Sequence, residues 1–384
     1  MKVYFDNAAT TPLNPQVFEK MKPYVTEFFG NPSSIHSYGR KTRVAIEEAR
    51  EVIAEFINAK PGEIYFTSGG TEANNFIITG ITKTEFSESR KNKIITTKGE
   101  HHSVLDTCYE LTKYGFELQL IDIDKNSKII LSDFENKINE NCALTSVIHI
   151  NNETGSINPI EELSSITKRK KIYFHTDAVQ SFGKIKIDVN ELGIDALSAS
   201  AHKINGPKGT GFAYVRSGTP ISPLIFGGSQ ERNRRGGTEN VAGIVGLAEA
   251  VKIAKAEMVK NYEHVKKLRD EFVKGIKILD KDFIKINGGE DAFPYILSIT
   301  FLSEKYRNEA EAMLMFLDIN GIAASNGAAC TSGTLKPSHV IINSGYKLED
   351  AAGTIRFSFG SQNTFKEVEY ALEILKKMIE KFRK

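Results

Sequence analysis

The sequence predicts an α/β protein whose main sheet is mostly parallel. Short runs rich in β-branched and aromatic residues alternate with longer segments of helical period, which is the pattern of strands joined by crossover helices. Of the 384 residues, 40% are hydrophobic and 26% are charged, so the chain can bury a large core without disulfides or a structural metal.

Seven runs predict the strands of the main sheet, at residues 64–67, 93–97, 116–121, 145–150, 172–176, 196–199 and 211–215. Segments of helical period separate most of them. At residues 40–57, for example, Ala45, Ala49, Val52 and Phe56 recur at steps that place them on one face of a helix. The resulting order of strands and helices favours a large α/β domain.

The last third of the chain has a different pattern. The stretch 238–279 contains no proline and keeps apolar residues on one helical face, which predicts a long helix that leaves the large domain. Two further strands are predicted at 295–301 and 354–359, with a helix at 304–317 between them and a final helix from Phe365. This part of the chain is typical of a smaller α+β domain.

Charge and cysteine content exclude several classes of protein. The 50 basic and 48 acidic side chains give a formal net charge of +2, which is not the basic excess of a general nucleic-acid binder. Cys108, Cys142 and Cys330 have neither the spacing of a disulfide framework nor that of a zinc knuckle. Because no signal peptide and no run of about 18 apolar residues is found, we expect a cytoplasmic protein without membrane or direct nucleic-acid contacts.

Five loops that follow predicted strands carry the candidate functional residues, because ligands of open α/β sheets collect at the carboxyl ends of the strands. The first loop, TSGGTE at 67–72, places Gly70 and Thr71 before a helix predicted to start near Ala73. Glycine allows close backbone approach and a helix N-terminus presents free N–H groups, so the loop suits a phosphate. The alternative is an ordinary helix start capped by Thr71, since no lysine follows the glycines as in a full P-loop.

Three further loops leave alternatives open. His101 and His102 could ligate a metal, but no third ligand has a useful spacing, and His101 is otherwise a structural hydrogen-bonding residue or a ring stacked on a planar cofactor. The NNETG segment at 151–155 has the composition of a turn. Asp177 ends a predicted strand and is either a helix N-cap or a buried acceptor for a protonated ring nitrogen.

The fifth loop, at 198–209, contains Lys203 among small residues and before a GPKG turn. Composition alone makes Lys203 a surface residue, but a lysine in a confined place has a lowered pKa and can form a Schiff base. Asp177 and Lys203 follow successive strands and are the two protein groups that a pyridoxal phosphate site requires, and the 67–72 loop supplies the phosphate anchor. The set is more specific than any of its members.

Together these motifs resemble the cysteine desulfurases of the class V aminotransferase family, the NifS/IscS-like group. The matching segments follow the family's order over nearly the whole chain: FDNAATTP (5–12), GNPSS (30–34), TSGGTE (67–72), EH (100–101), NNE (151–153), DAVQ (177–180), SAHKINGPKG (200–209), GGSQER (227–232), RGGTEN (235–240), AACTS (328–332) and IRFS (355–358). The resemblance implies the type I fold of pyridoxal phosphate enzymes, built as a homodimer. It also implies a large domain at 15–255 and a small domain, made of 1–14 and 256–384, that carries a mobile cysteine loop.

The resemblance assigns roles by position in the motifs. It implies that Lys203 binds the cofactor as a Schiff base, that Asp177 pairs with the pyridinium nitrogen, and that His101 stacks on the ring. Arg356 matches the arginine that binds the substrate carboxylate, which suits a bidentate guanidinium–carboxylate pair. The other assigned residues contact the phosphate, the ring oxygen or the substrate: Gly70, Thr71, Asn152, Gln180, Ser200, His202 and, reaching the neighbouring subunit's phosphate, Thr238.

Cys330 is the candidate catalytic thiol. Its surroundings, residues 326–333, contain two glycines and no large side chain, which favours a mobile loop. Cys108 lies in a helical pattern and Cys142 just before a predicted strand, so both fit the common role of cysteine as a small buried apolar residue. A neighbour such as His101 could help to deprotonate the thiol.

The sequence therefore predicts a pyridoxal 5'-phosphate-dependent cysteine desulfurase that converts L-cysteine to L-alanine and holds the sulfur on Cys330 as a persulfide. The expected recipient is an acceptor protein of iron–sulfur cluster assembly or tRNA thiolation. A class V aminotransferase or a selenocysteine lyase is the alternative among enzymes. A scaffold of the same fold without cofactor is the alternative outside them.

Overall fold

The computed structural model describes residues 1–327 and 336–384. Its strands are β1 Val3–Tyr4, β2 Ile64–Thr67, β3 Lys93–Thr97, β4 Glu117–Ile121, β5 Cys142–Ile148, β6 Tyr173–Asp177, β7 Ala196–Ser200, β8 Gly211–Val215, β9 Ile284–Ile286, β10 Ile296–Phe301, β11 Ile322–Ala323 and β12 Thr354–Ser358. Its helices are α1 Pro15–Thr26, α2 Ser37–Phe56, α3 Gly70–Ser89, α4 His102–Thr112, α5 Leu131–Lys137, α6 Ile160–Arg169, α7 Gln230–Asn233, α8 Val241–Asp280, α9 Ala310–Ile319, α10 His339–Asn343, α11 Leu348–Ala351 and α12 Phe365–Phe382.

The main sheet has seven strands in the spatial order β2-β8-β7-β6-β5-β3-β4. Strands β3 to β7 pair in parallel, whereas β8 runs antiparallel to both of its neighbours, β2 and β7. The predicted mostly parallel, seven-stranded sheet is confirmed, and so is the long helix after residue 238, which is α8.

Several predicted boundaries were wrong by a few residues, including the following three. Helix α3 begins at Gly70 rather than near Ala73. Strand β5 already includes Cys142, which is fully buried in the sheet rather than placed before it. Helix α9 begins at Ala310 rather than at 304, because Arg307 instead donates its backbone N–H to Phe382 O at the end of α12, at 2.9 Å.

Two apolar clusters cover the two faces of the main sheet. Successive side chains of a strand point to opposite faces, and in β5 Val147 contributes to the cluster under α2 and α8 while Leu144 contributes to the cluster under α3 and α4. Strands buried on both faces carry the continuous apolar runs that predicted them.

A third cluster forms around a separate antiparallel sheet of β9, β10 and β12, with α12 and the second half of α8 packed on it. Helix α8 contributes Val251 to the core of the main sheet and Val265 to this third cluster. Phe5, next to β1, also packs into the third cluster. The domain boundaries at 14 and 255 remain predictions. The second boundary lies between Val251 and Val265, where α8 passes from one apolar cluster to the other.

The described helices include none that is both long enough and apolar enough to cross a membrane. At the carboxyl end of the main sheet, the loops after β2, β3, β5, β6 and β7 face the antiparallel sheet. Residues 6–11 join the two parts there, since Ala8 N donates to Ser358 Oγ of β12 at 2.8 Å and Gln180 Nε2 donates to Ala8 O at 3.0 Å. The candidate site lies at this junction.

Candidate active site

A cavity of about 380 Å³ lies between the carboxyl edge of the main sheet and the antiparallel sheet. Most of the predicted site residues line it: Gly70, Thr71, His101, Asn152, Asp177, Gln180, Ser200, His202, Lys203 and Arg356. Thr238 is exposed and is not among the lining residues, and Cys330 lies outside the described residues. The predicted cluster is thus assembled from five loops and β12, which are far apart in sequence.

The N-terminus of α3 opens into the cavity without a side-chain cap. Its N-cap residue is Gly69, whose φ of +154° favours glycine, and no side chain of residues 1–327 or 336–384 caps the helix. The alternative of a helix start capped by Thr71 is therefore wrong. Uncapped N–H groups and the positive end of the helix dipole make this end of the cavity suitable for a phosphate.

Close packing at the same end leaves room only for a small residue. A Cβ atom on Gly70 would lie 2.6 Å from Val179 Cγ2 and 3.7 Å from Ser200 Cβ. His202, also at this end, has its pKa lowered to about 4, chiefly by burial and further by Lys203 and Lys208. His202 is therefore neutral near pH 7 and available as a hydrogen-bond donor.

Asp177 ends β6 and is 3% exposed. Its Oδ1 accepts from Val179 N at 2.9 Å and its Oδ2 accepts from Asn74 Nδ2 at 2.8 Å. Neither partner is charged, so a protonated ring nitrogen would supply the positive charge that a buried carboxylate otherwise lacks. Asp177 caps no described helix, because residues 179–184 form turns, and the acceptor role fits it better than the N-cap role.

Lys203 ends the short 3₁₀ segment Ala201–Lys203 that follows β7. Its Nζ donates to Ala8 O at 2.5 Å and to Ala9 O at 2.8 Å. The pKa of Lys203 is lowered to about 8, first by burial and then by the charge of Arg356, while Asp177 opposes the shift. A lowered pKa makes the amine neutral in a larger fraction of molecules, and a neutral amine can attack an aldehyde. Lys203 Nζ can exchange its hydrogen bonds to the two backbone carbonyls for this covalent bond.

Arg356 reaches the cavity from β12 and is 4% exposed. Its Nη1 donates to Asn152 O at 2.7 Å and its Nη2 donates to Asp6 Oδ1 at 3.0 Å. Its Nε is buried and has no hydrogen-bond partner among the described residues. The guanidinium is thus held by two protein oxygens and keeps a free donor for an anion such as a carboxylate.

Gln180 and Asn152, two further predicted residues, also line the cavity. Gln180 Oε1 is buried without a partner in the part of the chain that the structure describes. Asn152 lies in the predicted turn at 151–155, which closes with a bond from Gly155 N to Asn151 O at 3.0 Å. A buried oxygen without a donor beside the Asp177 loop fits a ligand that brings its own hydroxyl group.

His101 lines the cavity and also serves the backbone. Its Nδ1 accepts from Ser103 N at 3.1 Å, at the first turn of α4, so the structural role considered for His101 is present. His102 lies with its ring centroid 5.0 Å from that of His339. Within residues 1–327 and 336–384 no group of three or more potential ligands is arranged to hold a metal ion.

The segment that leads to Cys330 is anchored beside Arg356. Ser325 and Arg356 exchange backbone hydrogen bonds of 3.2 and 2.6 Å. Gly327 before the undescribed segment and His339 after it both line the cavity. The described chain thus reaches the cavity on both sides of Cys330.

The lining residues to which sequence reasoning assigned no role include Asn74, Ser103, Glu153 and His339. Asn74 left a signal, because asparagine is a poor residue for a buried helix interior and α3 places it there. Glu153 belongs to the NNE motif but was treated as part of a turn. Burial raises its pKa, and Ser338 Oγ donates to its carboxyl group.

With this geometry, comparison with known proteins defines the class. The chain belongs to the class V aminotransferase family, whose family model matches residues 3–371. The resemblance found from the motifs is therefore confirmed.

Individual relatives are more specific. The chain is 48% identical to cysteine desulfurase IscS of Dictyoglomus turgidum, in an alignment that covers 100% of this chain and 95% of that protein. Among solved structures it is similar to a NifS-like protein with a TM-score of 0.91 and 38% identity, covering 100% of both chains. It is also similar to a structure of SspA in complex with cysteine, with a TM-score of 0.82 and 35% identity over 94% of this chain and 100% of that one.

Proposed function

We propose that the protein is a cysteine desulfurase with pyridoxal 5'-phosphate as its cofactor, converting L-cysteine to L-alanine. The observation that carries this proposal is the placement of Asp177 and Lys203 at the ends of adjacent strands, facing one cavity with Arg356. The 48% sequence identity to a cysteine desulfurase and the similarity to a structure in complex with cysteine support the choice of substrate.

The residues that would hold the cofactor surround the cavity. The uncapped start of α3, with Ser200 and His202, suits its phosphate, and Lys203 suits its aldehyde. Asp177 would keep the ring nitrogen protonated, because a buried carboxylate without a cation stabilises a proton on a neighbouring base. When bound, pyridoxal phosphate supplies an electron sink for bonds at the substrate's α- and β-carbons.

Arg356 would orient the substrate through its carboxylate. The guanidinium is held by hydrogen bonds to Asn152 O and Asp6 Oδ1, so its orientation is set before the substrate binds. The amino group of the substrate then lies toward Lys203, on the same side of the cavity. This arrangement selects an α-amino acid.

Cys330 is proposed to accept the sulfur. Its thiolate attacks the substrate sulfur, so that a sulfur–sulfur bond forms as the carbon–sulfur bond breaks, and the electron pair left on carbon is protonated to give L-alanine. The enzyme thiol becomes a persulfide, and an acceptor protein of iron–sulfur assembly or tRNA thiolation takes the outer sulfur. The described residues on either side of Cys330 line the cavity, which supports this role.

A homodimer is proposed as the working form. Phe29, Ile35 and Phe226 are 74%, 90% and 80% exposed, and contact with a second copy of the chain would remove their apolar surface from water. Thr238 lies outside the cavity of its own chain and is free to reach the phosphate of the neighbouring subunit. The cytoplasmic location remains a prediction from the sequence.

The decisive experiment incubates the purified, cofactor-loaded protein with L-cysteine and measures alanine together with protein-bound persulfide by intact-protein mass spectrometry. We expect equal amounts of alanine and transferred sulfur, with the first sulfur on Cys330. The Cys330→Ala variant should retain the visible absorption of the cofactor and its change on L-cysteine binding, yet form no persulfide. The Cys108→Ala variant should retain persulfide formation.

Other outcomes would favour the alternatives. A keto acid in place of alanine would make the protein an aminotransferase. Turnover of selenocysteine but not of cysteine would make it a selenocysteine lyase. If Lys203→Ala keeps a borohydride-reducible cofactor while the exposed control Lys208→Ala behaves like wild type, the assignment of Lys203 is wrong.

A further inference from the structure

A chain of buried hydrogen bonds joins Asp177 to His101 beneath the cavity. Asn74 Nδ2 donates both to Asp177 Oδ2 and to Ser103 Oγ, each at 2.8 Å. Asn74 Oδ1 accepts from Ser198 Oγ at 2.5 Å, and Asn74 is 1% exposed. The amide of Asn74 therefore has one possible orientation, because its oxygen would otherwise face the Asp177 carboxylate, which can only accept.

The same chain fixes the direction of the bond between Ser103 and His101. Ser103 Oγ lies 2.8 Å from His101 Nδ1 and accepts the amide proton of Asn74, which leaves the Ser103 hydroxyl proton available to Nδ1. Ser103 N also donates to Nδ1, at 3.1 Å. A proton on Nδ1 would face this backbone N–H directly. Nδ1 is therefore an acceptor, and the proton of the neutral ring is on Nε2.

We infer that Asn74 and Ser103 are positioning residues that hold His101 as the neutral imidazole protonated on Nε2. His101 then serves the site as a fixed ring and hydrogen-bond donor rather than as the base that takes up the thiol proton at Nε2. This differs from the hypothesis that His101 helps to deprotonate Cys330. The inference about Asn74 and Ser103 rests on the proposed function in one respect, which is that the cofactor and the thiol lie beside the His101 ring.

The electrostatics around His101 agree with a neutral ring. Burial is the main cause that lowers its pKa, and the charges of Lys203, His102 and His339 act in the same direction, while Asp177 opposes them. These groups come from the loop after β7, from α4, from α10 and from β6.

The direct test is the nitrogen-15 spectrum of the histidine rings, recorded on the apoprotein and on the cofactor-loaded protein. The His101→Gln variant assigns the signal by its disappearance. We expect the Nε2–H tautomer at pH 7 and a protonation midpoint below the usual value for histidine. A ring protonated on Nδ1, or on both nitrogens, at pH 7 would overturn the inference.

The isosteric variant Asn74→Asp reverses the chain. A carboxylate at this position donates no proton to Ser103, even when it shares one proton with Asp177, so the Ser103 hydroxyl turns toward it and presents an oxygen to His101 Nδ1. We expect the His101 protonation midpoint to rise and the Nε2–H tautomer to lose population. Should this variant fail to fold, Ser103→Ala removes the hydroxyl donor and should raise the midpoint in the same direction.

Asn75→Asp is the matched control, because it adds the same charge one residue further along α3. Within the described residues, Asn75 Nδ2 bonds only to Thr71 O, at 2.9 Å, and takes no part in the chain. We expect its His101 signal and its turnover to equal those of wild type. Equal shifts in both variants, or no shift in Asn74→Asp, would contradict the inference and leave Asn74 a purely structural residue.

The apoprotein spectra separate this inference from the proposed function. A protein that shows the Nε2–H tautomer but makes no alanine from L-cysteine would refute the function alone. A protein that makes alanine and persulfide while His101 is doubly protonated at pH 7 would refute the inference alone.

Discussion

The lowered pKa of Lys203 predicts how fast the apoprotein takes up its cofactor at each pH. With a pKa of about 8 instead of the ordinary 10.5, the amine is neutral in roughly one molecule in ten at pH 7 rather than one in about three thousand. Because only the neutral amine attacks an aldehyde, covalent bonding at pH 7 should be roughly 300-fold faster than with an ordinary lysine.

Stopped-flow absorption after mixing apoprotein with pyridoxal 5'-phosphate measures this rate. The rate should rise about tenfold per pH unit below pH 8 and level off above it, because the amine is then already neutral. The Lys203→Ala variant should show no such phase. A midpoint above pH 10 in the wild-type protein would refute the argument that burial lowers the pKa of Lys203.

Substitution of Arg356 tests what lowers the pKa of Lys203. Its charge is the second contribution to the lowered pKa of Lys203, so Arg356→Gln should move the midpoint of the rate profile to higher pH. Arg90→Gln, at the exposed end of α3, should leave the midpoint where it is. Equal behaviour of the two variants would show that the charge of Arg356 does not reach Lys203.

Four further results are expected. Asp177→Asn should lower turnover by on the order of 10²–10³-fold while cofactor content, read from absorption, falls far less, and near-normal turnover would exclude its role. Arg356→Lys should raise KM for L-cysteine by roughly 10- to 100-fold, because a point charge replaces a bidentate donor, and an unchanged KM in steady-state kinetics would exclude carboxylate binding. Phe226→Asp should weaken self-association in light scattering and accelerate cofactor loss, and a fully active wild-type monomer would contradict the proposed dimer. Arg50 and Glu231 form a buried pair with bonds of 2.8 and 2.9 Å, so Arg50→Met should cost about 3–5 kcal/mol of unfolding free energy in denaturant titrations, and a cost below about 1 kcal/mol would show that Glu231 finds another partner.

The local sequence determined the elements and most of the chemistry of the site. Runs such as 64–67 and 93–97 are apolar and β-branched because both faces of the sheet are buried, and their bounds agree with β2 and β3. Asp177 and Lys203 could be found because Asp177 ends its strand and Lys203 lies three residues beyond the next one, where the neighbouring sequence already places both at the carboxyl edge. Arg356 was placed by the resemblance to the family and not by its surroundings in the sequence.

Residues whose role depends on contacts between distant segments could not be found in this way. Asn74, Ser103 and Ser198 are ordinary polar residues of two helices and a strand, and only the packing of α3 against the edge of the sheet joins them to Asp177. The choice between a structural hydrogen-bonding residue and a stacked ring for His101 was likewise open in the sequence. That choice depends on the directions of hydrogen bonds in the folded protein. These directions are set only when folding excludes water and the buried polar side chains must pair with one another.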